Sequence, residues 1–511
     1  MLNSSKINIK NIKRMSTQVK SLIAVAVLLL TATNCKKDFL DRKPPGELTF
    51  EEFFKTPEQA EQAVNAVYEQ FRSFDCVGLG YLGLTDIISD DSDKGSTTND
   101  QPPLADIDNF LLEPSNSYFS AVYKGYFRAI ARANVAIQNI PNVEMDQQKR
   151  DRLVGECKFL RAHSYLLLVQ WFGDLPLITK TLQVEEYYAQ TRQPREVIYA
   201  QIEADLTDAI AALPEKDAYT QTSDIGRASK GSAKGLLAKL YMLKKDYANA
   251  EKYCLEIINS GKYSLLPKYA DNFKKVGENG AESVFEFQAV ALKTQQAAGP
   301  GSSPYNMIQG VRGVPNLGWG FNRPSDDLVA SYENGDPRRE ATVIYELETL
   351  PDGVTKVQHN ADIVNARYNQ KAWVPGHPGL QDNGPGNIRI IRYSDILLLA
   401  AEALNENGKP ADALIYLNQV RKRARGTNQI ILPDVTITDQ SQLREKIYRE
   451  RRSELAMEQQ RWFDLLRWGR AAQVMTAVGK TSFTPGKHEL MPIPQTEVDL
   501  TDGSIFQNPG Y

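Results

Sequence analysis

Residues 450–468 read ERRSELAMEQQRWFDLLRW, which is the densest charge pattern in the chain. Charged side chains of alternating sign recur there at the three- and four-residue spacing of one helix face: Arg451, Glu454, Glu458, Arg461, Asp464 and Arg467. The spacing predicts a helix that carries a ladder of ion pairs. Glu454 and Asp464 could instead be catalytic acids, but flanking arginines would keep both carboxylates ionised. The pattern therefore favours a structural role.

Most of the remaining chain has the hydrophobic spacing of amphipathic helices. The clearest segments are 56–74, 121–140, 150–173, 197–214 and 232–243. In the first of them Thr56 is placed to cap the helix and Pro57 to occupy its first turn. The fold class predicted from these segments is mostly α.

Two segments repeat each other without a gap: AKLYMLKKDYANAEKYCLEII at 238–258 and AEALNENGKPADALIYLNQVR at 401–421. Each reads as a helix, a short polar turn and a second helix. Small residues at the helix crossing, with an aromatic residue one turn later, resemble tetratricopeptide packing. The two units are far apart in sequence, so we expect helix pairs rather than a continuous solenoid.

Two regions, 75–118 and 277–390, are rich in Gly, Pro and Asn and show only short strand-like pieces. Long loops in a compact domain are usually functional or disordered. We therefore expect a helical scaffold from which these regions project, and we expect the function to reside on them.

The N-terminus has a basic segment followed by an unbroken apolar run over 22–30, which is too short to cross a bilayer and is typical of a signal peptide. Translation could begin at Met15 rather than Met1. We predict a lipoprotein signal peptide at 1–34, lipidation of Cys35, and a tether at 35–48 before one domain at 49–511. Cleavage after the small residues 31–33 is the alternative.

The charge and cysteine content limit the function classes. Loss of a leader with five basic and no acidic residues takes the net charge from −3 to −8, which disfavours nucleic acid as a partner. If Cys35 carries lipid, then Cys76, Cys157 and Cys254 allow at most one disulfide. The histidines are four, and no GxSxG, HExxH or P-loop motif occurs, so we expect a protein that is not an enzyme.

An ordered set of motifs resembles the SusD/RagB family of outer-membrane nutrient-binding lipoproteins. The motifs are CKKDFLDRKPPGELT from Cys35, RANVAI, WFGDLPLI, DPRRE, RYSDILLLAAEALNENG, ERRSELAMEQQRWFDLLRWGRA and the closing HELMPIPQTEVDL and QNPGY. The resemblance implies a scaffold of four tetratricopeptide-like helix pairs with a loop-rich, minor-β cap. It also implies a lipid-anchored protein on the outer face of the outer membrane. Such a protein delivers glycans, or sometimes peptides, to a SusC-like TonB-dependent barrel.

A sugar-binding surface needs aromatic faces beside amide, carboxylate or guanidinium groups, and both loop regions supply them. The candidate ligand-binding residues are Trp319, Phe321, Asn322, Arg323, Asp326, Trp373, Gln381, Asp382, Asn383, Tyr81, Tyr118 and Tyr305. The alternative for each aromatic residue is that it anchors its loop to the helical body.

The acidic run DIISDDSDKGSTTND at 86–100 contains Asp91 and Asp93, which are candidate calcium ligands. The glutamate that should close a calcium loop is missing, so a solvated acidic turn is the default interpretation and we expect no cofactor.

The function predicted is capture of an oligosaccharide and its delivery to a partner barrel. The alternatives are a peptide cargo, a protein that serves only as a lid for the barrel, and a glycan-cleaving enzyme with two carboxyl groups facing each other across a cleft.

Overall fold

Helices account for most of the chain in the computed structural model, which describes residues 53–290, 301–363, 366–375 and 384–511. By their contacts, Phe54–Tyr511 form one unit. Several predicted features lie outside the described residues: the signal peptide 1–34, Cys35, the tether 35–48, Gln381, Asp382 and Asn383.

The α-helices, numbered in chain order, are α1 Pro57–Gln70, α2 Phe74–Val77, α3 Leu79–Leu82, α4 Pro102–Asp108, α5 Ser117–Asn139, α6 Gln147–Phe172, α7 Val184–Tyr188, α8 Arg195–Ala212, α9 Lys230–Lys244, α10 Tyr247–Asn259, α11 Tyr305–Gln309, α12 Asp326–Ser331, α13 Pro337–Thr342, α14 Tyr393–Glu406, α15 Pro410–Arg425, α16 Gln440–Leu455, α17 Arg461–Arg467, α18 Ala471–Ala477 and α19 Gln495–Leu500. A π-helical turn covers Gly83–Ile87. Short 3₁₀ turns cover Ile140–Asn142, Lys216–Ala218, Tyr269–Phe273, Lys275–Gly277 and Gln370–Ala372.

The strands form three antiparallel two-stranded sheets. They are β1 Ser92–Gly95 with β3 Phe321–Pro324, β2 Ser283–Phe287 with β6 Ile388–Arg392, and β4 Val343–Tyr345 with β5 Arg367–Asn369. The described residues between β2 and β6 are called the cap. The cap contains short helices, strand β3, the β4–β5 sheet and much irregular chain. The prediction of a mostly helical fold with a loop-rich, minor-β cap is therefore confirmed.

The long helices pack side by side in one row. In this row α1 contacts α5, and the contacts continue through α6, α8, α9, α10, α14 and α15. Thr56 caps α1 as predicted: its hydroxyl accepts from the Gln59 backbone N–H at 3.3 Å. Helix α6 lies between α5 and α8, and this position buries most of its faces.

The two repeated segments are helix pairs, as predicted, but they are not separate in space. The first pair is α9 with α10, the second is α14 with α15, and α10 packs directly on α14. Strands β2 and β6 pair at the base of the cap, so the chain leaves the row after α10 and re-enters it at α14. The expectation that these pairs would not continue one another is therefore wrong, because their separation in sequence comes from the cap, which is an insertion between neighbouring helices.

Region 75–118 is not a projecting loop. It forms α2, α3, the π-helical turn, β1 and α4, and most of its apolar side chains are buried in the main core. The glycines of this region suggested a loop, but Gly80 serves close packing instead. A Cβ at this position would come 2.9 Å from Val122 Cγ2 of α5. The residue therefore allows two helices to approach closely, where the sequence pattern suggested a flexible loop.

The motif at 450–468 does not form one helix. Helix α16 ends at Leu455 and α17 begins at Arg461, and between them Met457 and Gln459 have φ of 62° and 58°. Glu454 and Glu458 therefore reach other elements rather than forming a ladder with their helical neighbours. A ladder along one helix is therefore wrong, although Asp464 and Arg467 do pair at 2.8 Å within α17 and the motif has the structural role that was expected.

Glu454 is fully buried, and three arginines from three separate elements bind its carboxylate. Arg338 of α13 lies 3.2 Å away, Arg392 of β6 3.1 Å, and Arg423 of α15 2.5 Å. Burial would raise the pKa of Glu454, but the charges of Arg423, Arg392 and Arg338 outweigh it and hold that pKa well below its usual range. Glu454 thus joins the cap to the helical row.

Three further carboxylates belong to this buried cluster. Glu282 accepts from Arg392 at 2.6 Å and from Arg423 at 2.7 Å. Glu458 accepts from Arg392 at 2.6 Å and from Lys371 of the cap at 2.7 Å. Glu450 accepts from Arg338 at 2.7 Å. We call Glu282, Arg338, Lys371, Arg392, Arg423, Glu450, Glu454 and Glu458 the Glu454 cluster.

We expect Glu454→Gln to destabilise the protein by about 3–5 kcal/mol, because it leaves buried guanidinium groups without their shared partner. The measurement is the free energy of unfolding from a denaturant titration at neutral pH. Glu340→Gln is the matched control: the pair of Glu340 with Arg339 is exposed, so its loss should cost no more than about 0.5 kcal/mol. Equal stabilities of the two variants would contradict the role given to Glu454.

Acid should weaken the fold through Asp395, whose carboxylate binds Lys239 at 2.6 Å and Arg451 at 2.9 Å. Burial opposes ionisation, but the two cations lower the pKa of Asp395 to about 2. The stabilisation is therefore present above the unfolded pKa of about 3.9 and is lost as the pH falls toward 2. We expect Asp395→Asn to be less stable at neutral pH but to lose less stability than the wild type between these values. Parallel pH profiles of the unfolding midpoint would contradict this assignment.

Candidate functional site

The two regions that were predicted to carry the function meet at the ribbon formed by β1 and β3. Gly95 pairs with Phe321 at one end of the ribbon, and Ser92 pairs with Pro324 at the other. The Ser96 backbone N–H extends the contact by donating to the Gly320 carbonyl at 2.7 Å. This places Trp319 beside residues 96–100 of the first region.

Trp319 is partly exposed and packs against the main core. Its ring centroid lies 6.5 Å from that of Phe74, which is 39% exposed. The backbone N–H of Trp319 donates to the Met307 carbonyl at 2.9 Å, and a Cβ at the preceding Gly318 would lie 2.2 Å from that same carbonyl oxygen. The glycine therefore permits the close turn that sets the position of the indole.

Arg312 flanks this aromatic pair. Its Nη1 donates to Asp100 Oδ2 at 2.7 Å and to Ser96 Oγ at 2.8 Å, and its side chain remains 35% exposed. The ion pair and the hydroxyl fix the guanidinium while its outer edge faces water. We call Trp319, Phe74, Arg312, Ser96 and Asp100 the Trp319 surface.

Sequence reasoning missed Phe74 and Arg312. Arg312 was detectable as the one arginine that precedes Trp319 in the glycine-rich segment from 301. No local signal marked Phe74, since its contact with Trp319 joins distant parts of the chain. Tyr118, a predicted residue, is mostly buried and lies next to this surface: its hydroxyl donates at 2.6 Å to Gln101, which follows Asp100.

Four other predicted residues are buried beneath the surface. Phe321, Asn322, Tyr81 and Tyr305 are 2%, 0%, 5% and 8% exposed. Tyr81 packs edge-on against Trp171, and the Tyr305 hydroxyl donates to Gln459 Oε1 at 3.1 Å. A sugar ring that approaches from solvent needs an open aromatic face, and these side chains present little of one. They instead support the residues above them.

A buried polar network holds the Trp319 segment in place. Asn322, with φ of 57°, donates from Nδ2 to Asp86 Oδ2 at 3.0 Å and to Gln309 Oε1 at 2.8 Å. Asp86 also accepts from the backbone N–H and the side chain of Gln459, at 3.0 and 2.7 Å. Burial is the main influence on Asp86 and raises its pKa to about 6, although these hydrogen bonds favour the carboxylate. The network ties the cap to the C-terminal motif.

Trp373 lies in a small hydrophobic core that belongs to the cap itself. Its buried partners there include Val311, Ile344, Val357 and Tyr368, and the indole is 8% exposed. This is the anchoring role that was the alternative for this residue. The predicted partner of Trp373, Asp382, lies outside the described residues.

The polar candidates next to Trp319 are engaged in ion pairs. Arg323 binds Asp93 at 2.5 Å, and Asp326 binds Arg367. Both pairs lie on the ribbon or directly after it, so they brace the end of β3.

The acidic run at 86–100 is not a solvated turn. Asp90 and Asp91 are 3% and 0% exposed, Arg461 binds both Asp90 oxygens at 2.8 Å, and Arg452 Nε donates to Asp91 at 2.7 Å. Guanidinium groups thus stand where a cation would bind the candidate ligands Asp91 and Asp93, so the geometry does not support calcium there. Within the described residues, no group of three or more acidic, histidine or cysteine side chains is arranged to hold a metal. Cys76, Cys157 and Cys254 are buried free thiols.

The protein is thus a row of paired helices whose cap presents a partly exposed aromatic pair beside a fixed arginine. Comparison with known proteins then gives the family. The SusD family model matches residues 281–511, and a model described as "Starch-binding associating with outer membrane" matches residues 38–242. The chain belongs to the SusD family, as the motifs predicted.

Solved structures and a curated relative agree with this assignment. A laminarin binding SusD-like protein is 30% identical, with a TM-score of 0.75 over 90% of this chain and 100% of that chain. Surface glycan-binding protein A from Bacteroides thetaiotaomicron, in complex with laminarihexaose, is 26% identical, with a TM-score of 0.73 over 89% of this chain and 100% of that chain. SusD-like protein P2 of Formosa agariphila is 28% identical over 96% of this chain and 100% of its own length.

Members of the family are carbohydrate-binding proteins and not enzymes, so membership confirms the prediction that this chain is not an enzyme. None of the helices in the described residues has the length and apolar character needed to span a bilayer.

We expect Trp373→Ala to destabilise the cap by about 3–5 kcal/mol, because it removes the largest side chain of a small core. Limited proteolysis of the cap and thermal unfolding measure this effect. Trp319→Ala is the control: its ring is partly in water, so its loss should cost clearly less. Equal protease resistance of Trp373→Ala and the wild type would contradict the anchoring role.

Proposed function

We propose that this protein captures an oligosaccharide on the Trp319 surface and passes it to a SusC-like TonB-dependent barrel. The observation that carries the proposal is the partly exposed pair of Trp319 and Phe74 beside Arg312, which Asp100 and Ser96 hold in place. Two similar solved structures are described as binding laminarin or laminarihexaose, which makes a laminarin-type glucan the first ligand to test.

The chemistry of the surface suits a sugar. Pyranose C–H faces stack on an aromatic ring, and Trp319 and Phe74 offer two rings with centroids 6.5 Å apart. The outer N–H groups of Arg312 and the oxygens of Asp100 can form hydrogen bonds with sugar hydroxyl groups. Because the two side chains already bind each other, binding costs little of their conformational entropy. Asp100 is paired with Arg312 at 2.7 Å, and an ion-paired carboxylate suits the acceptance of hydrogen bonds from hydroxyl groups better than proton transfer to a glycosidic bond.

We further propose that Cys35 carries the lipid anchor and that the tether 35–48 holds the domain outside the outer membrane. The description of the family model that covers residues 38–242, which refers to the outer membrane, supports this location. A lipid chain at the start of the domain would keep the captured ligand close to a membrane-embedded barrel.

We expect Trp319→Ala to weaken binding of laminarin by at least about 30-fold, since a central aromatic contact is worth about 2 kcal/mol or more. The measurement is retardation of residues 36–511 in native gels cast with laminarin, followed by calorimetry with laminarihexaose. Phe506→Ala is the matched control, because Phe506 is 57% exposed and contacts Arg192 away from the surface. This control should bind like the wild type.

Two outcomes would contradict the proposal. Unchanged binding by Trp319→Ala would place the glycan elsewhere on the protein. Uniform mobility of the wild type across a broad panel of glycans would favour the alternatives, which are a peptide cargo or a protein that serves only as a lid. Release of reducing ends from a glycan by the pure protein would favour the third alternative, a glycan-cleaving enzyme.

A further inference from the structure

A second cleft lies between helices α16, α17 and α18 and the end of α12. Its volume is about 460 Å³, which is within the usual range for small-molecule sites. Its walls include Ser331, Tyr448, Arg449, Arg452, Arg461 and Trp468. None of these side chains belongs to the Trp319 surface.

The cleft is separated from the Trp319 surface by the ribbon. Gly95 and Phe321 mark the end of the ribbon next to Trp319. At the other end, Asp91 precedes β1 and binds Arg452, which lines the cleft. Each strand has four residues, so the two ends are roughly 10 Å apart at about 3.3 Å per residue.

Most arginines of the cleft already have a carboxylate partner. Arg452 binds Asp90, Asp91 and Asp327, and Arg461 binds Asp90. Arg470 binds Glu445 through both of its terminal nitrogens. These pairs fix the walls of the cleft, and each positive charge in them is compensated by the chain itself.

Arg449 is different. Its side chain is exposed at the cleft, and it makes no ion pair or hydrogen bond with any part of the chain that the structure describes. The nearest acidic group in the wall, Glu445, is held by Arg470. Arg449 thus adds to the cleft a positive charge, which Glu445 feels only at a distance, and a set of N–H donors without a partner in the described residues.

Another part of the cleft wall is rigid. The rings of Tyr448 and Trp468 stack with centroids 3.6 Å apart and an interplanar angle of 15°. Arg470 lies 4.8 Å above Tyr448, and Trp468 Nε1 donates to Glu402 at 2.8 Å, so neither ring can turn freely. Arg467 lies 4.9 Å over Trp468 in the same way, so the pair is a rigid part of the wall rather than an open stacking face. A ligand in this cleft would meet this fixed wall and the guanidinium of Arg449, which has no hydrogen-bond or ion-pair partner in the described residues.

We propose that this cleft, the Arg449 cleft, is a second binding site for a carboxylate-bearing ligand of about disaccharide size. A guanidinium binds a carboxylate through two parallel hydrogen bonds, and this geometry explains the use of an arginine. The carboxylate could belong to a uronic acid in a glycan or to the C-terminus of a short peptide. The inference does not depend on glycan binding at the Trp319 surface.

The test is calorimetry of residues 36–511 with digalacturonate and with its uncharged dimethyl ester, and with N-acetylated Gly-Tyr and its uncharged C-terminal amide. We expect one of the two acids to bind and its uncharged counterpart to bind at least tenfold more weakly. Binding of digalacturonate identifies a uronic acid as the source of the carboxylate, and binding of N-acetylated Gly-Tyr identifies a peptide.

Arg449→Gln should weaken binding of that acid at least tenfold. Its unfolding midpoint should match the wild type, because Arg449 makes no contact that the fold uses. Lys446→Gln removes the same charge from an exposed position of α16 that does not line the cleft, so it should change binding less than twofold. Trp319→Ala should also leave binding of the acid unchanged.

Equal binding of the acid and its uncharged counterpart would overturn the proposal, as would wild-type binding by Arg449→Gln. Absence of binding by both acids at millimolar concentration would overturn it as well. Equal losses in Arg449→Gln and Lys446→Gln would show a general effect of charge rather than a site.

Discussion

The buried carboxylate of Glu454 is the constraint on which the rest of the structure depends. An ionised group without water is tolerated only where opposite charges surround it, and here Arg338, Arg392 and Arg423 supply them. These arginines come from the cap, from the strand at its base and from the helical row. A buried ion cluster of this kind need not be more stable than a hydrophobic one of equal volume. It does require one relative position of the three elements, because any other would leave a charge unpaired.

The same motif positions the candidate site. After Glu454 the chain leaves its helix, and the left-handed conformation of Gln459 turns its side chain toward Asp86 and Tyr305. Asp86 in turn binds Asn322, three residues after Trp319. The peptide bond from Glu458 to Gln459, followed by these hydrogen bonds, thus connects the Glu454 cluster to the loop that presents the indole. This network fixes the position of the Trp319 surface relative to the helical row, although the segment that contains Trp319 has no regular pattern in the sequence.

The features that the sequence predicted correctly are those encoded by near neighbours. Hydrophobic spacing located the long helices, and small residues such as Ala238 and Ala401 located the helix crossings. The partners of charged residues could not be predicted in this way. A spacing of three or four residues is the same whether Glu454 binds its own helix or arginines from distant elements. The prediction of a solvated turn at 86–100 was wrong for the same reason. Asp90 and Asp91 are buried against an arginine some 360 residues later in the chain.

The aromatic residues show the same limit on a smaller scale. Trp319 and Trp373 both stand in segments rich in glycine and proline, and nothing local separates a binding residue from an anchor. Long-range packing does: Trp373 enters the core of the cap, whereas Trp319 meets Phe74 near the surface. Hydrogen–deuterium exchange with and without laminarihexaose tests most directly whether that surface captures glycan. Protection should appear in residues 310–323 and 96–101, with little change in α16. Protection confined to other segments, while the ligand is bound, would contradict the assignment of the Trp319 surface.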